Sequence, residues 1–174
     1  MTPLVKLRPA REDELPLLLH VVGDPDVAGE FVWAGYGDQN HFRRSFDDNG
    51  LVSKDGGILL VALASSDEAV GMVSFTKQWT GAAVFCWEIG IAMLPSARGH
   101  GYGTAAQREL VRYLFAHSAA HRIEASTEAG NLAEQRSLEK TGFTREGVMR
   151  GRDWRDGQWR DAVLYSILRT DPQL

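Results

Sequence analysis

Residues 82–104 read Ala82-Ala-Val-Phe-Cys86-Trp-Glu88-Ile-Gly90-Ile-Ala-Met93-Leu-Pro95-Ser-Ala-Arg98-Gly99-His100-Gly101-Tyr102-Gly103-Thr104, and they decide the fold. The first twelve residues are a run of apolar and small side chains that predicts a strand over 82–93. After Pro95 the pattern turns helical. Ala106, Leu110, Val111, Leu114 and Phe115 fall on one face, and Gln107, Arg108, Glu109 and Arg112 fall opposite. Between strand and helix lie three glycines at every second position, Gly99, Gly101 and Gly103. Glycines let backbone N–H groups approach a ligand without interference from Cβ. The helix that follows aims its free N–H groups, with about half a positive charge, at the same spot. The result is an anion cradle suited to phosphate or pyrophosphate, with Arg98 adding fixed charge at its mouth.

Working outward, 57–64 and 69–78 read as two further strands. Tight turns at Ser65–Glu68 and Thr80-Gly81 join them to 82–93 as an antiparallel meander. Upstream, Leu4–Arg8 reads as a strand and 11–22 as an amphipathic helix. Residues 24–50 hold helical fragments near 26–34 and 38–47. Their aromatics, Phe31, Trp33, Tyr36 and Phe42, suit a core plug or a substrate wall. Downstream, 121–127 reads as a strand and 131–141 as a helix stopped by Gly142. Strands near 145–151 and 161–169 join through Asp156-Gly157. The order β-α-α-β-β-β-α-β-α-β-β predicts a single α+β domain over 1–174.

Three phosphate-binding motifs compete for the glycine stretch. A P-loop needs Gly-Lys-Ser/Thr, whereas this chain has Gly103-Thr104-Ala105, so that reading fails. Gly101-x-Gly103-x-x-Ala106 matches the dinucleotide fingerprint, and Glu124 lies about 20 residues further on. A dinucleotide-binding oxidoreductase, however, wants parallel strands with helical crossovers, and here the glycines follow three strands joined by tight turns.

The stretch closely resembles the acyl-CoA loop of the GNAT superfamily of N-acetyltransferases. Its pattern Gln/Arg-x-x-Gly-x-Gly/Ala is met by Arg98, Gly101 and Gly103. Leu7-Arg8-Pro9-Ala10 resembles that family's first strand. Asn131 through Glu139-Lys140-Thr141-Gly142-Phe143 resembles its N-x-x-S-x-x-x-L-E-K-x-G-F helix. Gly147–Arg150 and Gly157–Ser166 resemble the final hairpin of its ribosomal-protein N-terminal acetyltransferase (RimJ/RimL-like) branch. The resemblance spans nearly the whole chain and is weakest at 24–50.

The resemblance implies a mixed, mostly antiparallel central sheet flanked by helices and splayed between the fourth strand (82–93) and the fifth (121–127). Acetyl-CoA is the implied cosubstrate. Its pantetheine arm would pair with Ile91, Ala92 and Met93, and its pyrophosphate would rest on Gly99, Gly101, Gly103 and Thr104 near Arg98. Asn131 matches an Asn that bonds the pantetheine, and it also suits a helix N-cap with Glu134. The implied reaction moves an acetyl group to a primary amine, either a protein N-terminal α-amine or a small-molecule amine.

For the general base, strand alternation singles out Glu88. It shares a face with Val84, Cys86, Gly90 and Ala92, while Phe85, Trp87, Ile89, Ile91 and Met93 fill the core. A carboxylate among small residues suits a groove wall, and the branch places its proposed bases in the matching Glu-Ile-Gly segment. Two positions depart from the family pattern. Glu134 stands where the branch often has Ser, and Leu138 stands where other members place a Tyr acid. Ser137 is out of register, so no general acid is assigned. These departures keep open a CoA-binding regulatory or interaction module without turnover.

Composition bounds the remaining possibilities. The 174 residues carry 19 basic and 23 acidic side chains, a formal charge of −4 that argues against non-specific nucleic-acid binding. No stretch approaches the ~18 apolar residues of a membrane span, and the N-terminus has no secretory pattern. Cys86 is the single cysteine, so no intrachain disulfide forms and a cytoplasmic setting is expected. The five histidines have no metal-ligand spacing, and no metal is expected. Fifteen of the basic residues are Arg, a bias that needs no ligand to explain it. Trp154 and Trp159, with Arg150, Arg152 and Arg155, suit an exposed hairpin, a substrate rim or a homodimer contact.

Overall fold

The computed structural model describes residues 4–172. Its strands are β1 (Val5–Arg8), β2 (Val52–Ser53), β3 (Gly56–Leu63), β4 (Ala69–Trp79), β5 (Phe85–Met93), β6 (Arg122–Glu128), β7 (Thr144–Arg155) and β8 (Gln158–Leu168). The α-helices are α1 (Leu15–Gly23), α2 (Pro25–Ala28), α3 (His41–Asn49), α4 (Tyr102–His117) and α5 (Leu132–Thr141). The strands form one sheet in the order β1-β3-β4-β5-β6-β8-β7, with β2 paired to β3 alone. Every pairing is antiparallel except β5 with β6. This is the splayed α+β sheet expected from the sequence, and it leaves no place for the parallel, helix-crossed sheet of the dinucleotide reading. The short β2 makes the opening strands fifth and sixth in the chain.

Alternation along the strands builds two cores. On one face Val61, Val73, Phe75, Trp87, Ile89, Ile123, Val163, Tyr165 and Ile167 pack beneath Leu110, Val111 and Leu114 of α4 and Leu138 of α5. On the other, Leu60, Met72 and Ala92 pack beneath Leu15, Leu18 and Val21 of α1 and Phe42 of α3. The second layer covers only the β3–β5 half. Beyond it, on the face that carries Glu88, the exposed side is polar. Arg122 there bridges Glu124 at 2.6 Å and Glu146 at 2.7 and 2.5 Å.

The β5–β6 pairing holds at two registers only, Trp87 with Ile123 and Glu88 with Glu124. Past them β6 continues against β8 alone, from Ala125 with Tyr165 to Glu128 with Ala162. β5 continues against β4 alone, in unbroken register to Gly71 with Met93. The sheet therefore forks. The uninterrupted β4–β5 register also preserves the alternation that puts Glu88 on the face of Cys86, Gly90 and Ala92.

Two helix ends shape the mouth of the fork. Gly101 caps α4 with φ +80°, a left-handed conformation that glycine adopts without strain. At the end of α5, Gly142 has φ +101° and donates to Glu139 and Leu138 carbonyls, while the Phe143 amide returns to Leu138 O at 3.0 Å. That pattern stops the helix and drops Phe143 into the core.

Candidate active site

The fork opens into a cleft of about 760 Å³. Ile91, Ala92, Met93, Arg98, Gly99, Gly101, Gly103, Thr104 and Asn131 all line it. The nine binding residues inferred from sequence thus converge, although they come from β5, the glycine loop, the start of α4 and the start of α5. Nothing lies within 4 Å of a Cβ built on Gly99 or Gly101, both at positive φ. A Cβ on Gly103 would come within 3.5 Å of Ile91 Cδ1. The loop therefore presents bare backbone to open space while the first turn of α4 sits close on β5. The first-turn amides have no helical acceptors. These features fit a diphosphate, and the cleft beyond them suits a long thin arm.

Arg98 lines the cleft, but its guanidinium serves the scaffold. Nε donates to Met93 O at 3.0 Å, and Nη2 donates to the carbonyls of Val27 and, at 3.3 Å, Ala28. It thereby ties the end of α2 to the end of β5. Asn131 caps α5, its Oδ1 accepting from the Glu134 amide at 3.3 Å and its Nδ2 donating to Thr127 Oγ1 at 3.0 Å. The reciprocal half of the capping box does not form. The Asn131 amide bonds Glu128 O at 2.9 Å, and the Glu134 carboxylate turns to Gln107.

Glu88 stands at the closed end of the fork, at the last paired register. Its side chain is one-third exposed. Gln78 Nε2 donates to it at 2.9 Å, Arg152 Nη2 at 3.3 Å and Ser126 Oγ at 3.5 Å. Ser126 is itself a cleft residue, so the carboxylate is one side chain away from the cleft floor. Arg152 gets there because the β7–β8 register shifts between Met149 and Asp153, around Gly151 at φ +57°. Such a bulge re-aims the neighbouring side chain. In the sequence Arg152 is one of several hairpin arginines, and only the Gly151 breaker sets it apart.

The other lip comes from the segment the sequence left ambiguous. Ala28, Gly29, Glu30, Phe31 and Val32 face the fork. The Phe31 ring lies against Gly130, 3.7 Å from its Cβ position, and the Arg155 guanidinium sits over that ring at 5.3 Å. Arg155 is fixed by two bonds to Glu128, at 2.6 and 2.7 Å. Phe31 is therefore a cleft wall and Phe42 a core residue.

Gln107 differs from expectation. It is 2% exposed rather than on the solvent face of α4. Its Oε1 accepts from Ser137 Oγ at 2.7 Å and Thr141 Oγ1 at 3.4 Å, and its Nε2 donates to Glu134 Oε1 at 2.5 Å. Thr104 Oγ1 joins the chain through Ser137 Oγ at 2.9 Å. A polar seam thus runs between α4 and α5, from the glycine loop to Glu134. Burial pushes the Glu134 carboxyl above the ordinary carboxylate range, only partly opposed by the Gln107 hydrogen bond. Among the described residues, no group of three or more His, Cys, Asp and Glu side chains could hold a metal ion.

Comparison with known proteins agrees with this geometry. The family model described as "Acetyltransferase (GNAT) domain" matches residues 5–144. A "Probable N-acetyltransferase YjcK" from Bacillus subtilis is 36% identical over 110 residues, covering 63% of this chain and 60% of that protein. The "[Ribosomal protein uS5]-alanine N-acetyltransferase" of Escherichia coli is 28% identical over 120 residues, covering 68% of this chain and 61% of that protein. The match thus spans about three-fifths of the length of these relatives. Among solved structures, the spermidine N-acetyltransferase of Vibrio cholerae, in complex with CoA and spermine, superposes with TM-score 0.83 at 16% identity over 97% of both chains, a likeness of fold. With its glycine-capped helix, its forked sheet and a family match over most of its length, this chain belongs to the GNAT acetyltransferase family.

Proposed function

We propose that the protein is an acetyl-CoA-dependent N-acetyltransferase acting on a primary amine in a ternary complex. One observation carries this reading. The glycine loop and the fork meet in a single cleft, and Glu88 stands at the fork's closed end. The loop amides and those at the start of α4 would hold the diphosphate. Ile91, Ala92 and Met93 have backbone groups unmatched by β6, and they would pair with the pantetheine arm. Bound acetyl-CoA supplies an activated thioester.

The attacking nitrogen must be neutral. Amines carry their proton up to a pKa of ~10.4 if lysine-like and ~7.7–8 if an α-amine. Glu88 accepts that proton, directly or through a water, and Gln78, Ser126 and Arg152 fix its position. The polar face beyond α1–α3 is the open side of Glu88, so the acceptor would enter there, opposite α4. An N-terminal α-amine or a small amine suits this route, since relatives with the fold act on both kinds by their names. Much of the rate comes from holding the amine and thioester together.

The test is release of free thiol from acetyl-CoA in the presence of a panel of amines and N-terminal peptides. The expected result is turnover reduced by about 10²–10⁴-fold in Glu88→Gln, the usual range for a general base. Tight CoA binding with no turnover over the whole panel would instead make the chain a CoA-binding module. The engagement of Glu88 by Arg152 is the observation that favours that second reading.

A further inference from the structure

The proposed reaction leaves the departing sulfur without a proton donor. Leu138 is fully buried in the α4–α5 core and has no proton to give. Two carboxyls line the cleft, Glu30 and Glu134; Glu30 is exposed and lies 3.8 Å from the Arg155 guanidinium, which leaves Glu134 as the sheltered one without a cationic partner. It sits in the first turn of α5, and among the described residues its one side-chain hydrogen bond comes from Gln107 Nε2 to Oε1. The orientation of Gln107 follows from its surroundings. The Ser137 and Thr141 hydroxyls meet its Oε1, so its NH2 faces Glu134. Gln107 supplies one neutral donor and no charge.

Arg136 and Lys140 of α5 line the same cleft, Arg98 donates to backbone carbonyls, and Glu30 lies on the opposite lip. Among the described residues, none of them forms an ion pair with Glu134. The first turn of α5 modestly favours the charged form, but burial with one neutral donor and no cation acts the other way and raises the carboxyl. Oε1 is taken by Gln107, which leaves Oε2 to carry the proton, and among the described residues Oε2 makes no hydrogen bond.

We propose that Glu134 is the general acid of this protein, giving its Oε2 proton to the CoA sulfur as the thioester breaks. This rests on the transferase reading above. In the balanced step, the amine nitrogen bonds the acetyl carbon while the C–S electron pair goes to sulfur. Glu134 transfers its proton to that sulfur, releasing a neutral thiol. Glu88 takes the proton shed by the amine and passes it to solvent. Glu134 regains a proton from water once the thiol has left. No further reactant is needed. The seam Thr104–Ser137–Gln107 is a positioning device that holds the acid against the cleft wall.

Two measurements test this. The first needs no turnover: carbon-13 NMR of glutamate-labelled protein, with Glu134 identified by the resonance missing in Glu134→Gln or by backbone-linked assignment. The expected result is a carboxyl that stays protonated well above the usual Glu value of ~4.3. The second is the pH profile of kcat. The wild type should lose rate as pH rises through the Glu134 pKa. Glu134→Gln should lower kcat by about 10²-fold or more and abolish that alkaline fall, with acetyl-CoA affinity little changed. Glu134→Asp should recover part of the rate and the alkaline limb. A Glu134 that titrates like a solvent-exposed carboxylate overturns the proposal while the transferase reading stands. So does a folded Glu134→Gln with wild-type kcat and pH profile. A wild type that binds CoA but acetylates nothing sinks the transferase reading, and this proposal with it.

Discussion

Replacing Gly101 with Ala separates the two jobs of the glycine loop. Gly101 caps α4 at φ +80°, a conformation that costs an L-residue roughly 1–2 kcal/mol. Nothing lies within 4 Å of the added methyl, so packing contributes no further loss. For a domain of this size that cost lowers Tm by about 2–8 °C. Gly157, in the β7–β8 turn, offers a matched control. Its φ is +72°, and its Cβ position is equally open. Both variants should therefore lose similar stability in thermal melts. Only the Gly101 methyl protrudes into the cleft, where it would displace a diphosphate oxygen from the helix-start amides. Loss of one charge-assisted hydrogen bond is worth about 1.5–3 kcal/mol. Titration calorimetry should then show CoA binding weakened roughly 10- to 100-fold in Gly101→Ala and unchanged in Gly157→Ala. A folded Gly101→Ala that binds CoA as tightly as wild type would refute the anion-cradle reasoning.

Glu146 is held down to about 2 from an ordinary 4.5, first by hydrogen bonds from Arg122 and then by Ser166. A depressed folded pKa means stability that is present above the unfolded value and lost as pH falls through the folded one. Acid melts between about pH 4.5 and 2 should show wild type losing an increment that Glu146→Gln never had. Asn131→Ala should cost about 0.5–2 kcal/mol in thermal melts through the lost α5 cap. Asn131→Asp keeps that acceptor, so near-wild-type stability with weakened CoA binding would show that the amide nitrogen serves the ligand. Arg98→Met removes the tie from the ends of α2 and β5, so amide hydrogen exchange over residues 25–32 should accelerate while exchange in β3 and β4 stays unchanged.

The elements legible in the sequence are those whose signal is local. Alternation on residues 82–93 places Glu88 opposite Trp87 and Ile89, and the β4–β5 pairing keeps that phase without a bulge. The glycines mark the start of α4, and Gly142 marks the end of α5. What the sequence hid depends on contacts made at a distance. Gln107 reads as a surface residue because nothing near it in the chain announces Ser137 or Thr141, which make its burial tolerable. Arg98 reads as a free charge because two of its three acceptors, Val27 and Ala28, lie some 70 residues upstream, and the third, Met93, is a backbone carbonyl that no sequence pattern marks. The final hairpin reads as two short strands, whereas β7 and β8 extend to Arg155 and Gln158. Their distal halves are exposed and charged, with Trp154 facing Trp159 at 5.1 Å, and so lack an apolar rhythm. The sequence reads a helical fragment near 26–34, whereas α2 stops at Ala28 with Gly29 at φ +73°, and residues 29–32 turn instead to form a lip of the fork.

Two registers of pairing are a thin seam for a sheet of this breadth. Five strands hang on one side of that seam and three on the other, with α4 laid beneath as a splint. A molecule bonded to both arms acts as a missing rung of the ladder. Its arrival would add a second tie between arms that the core beneath α4 and α5 already joins. A cosubstrate bound there would be a structural member of the sheet as well as a reactant.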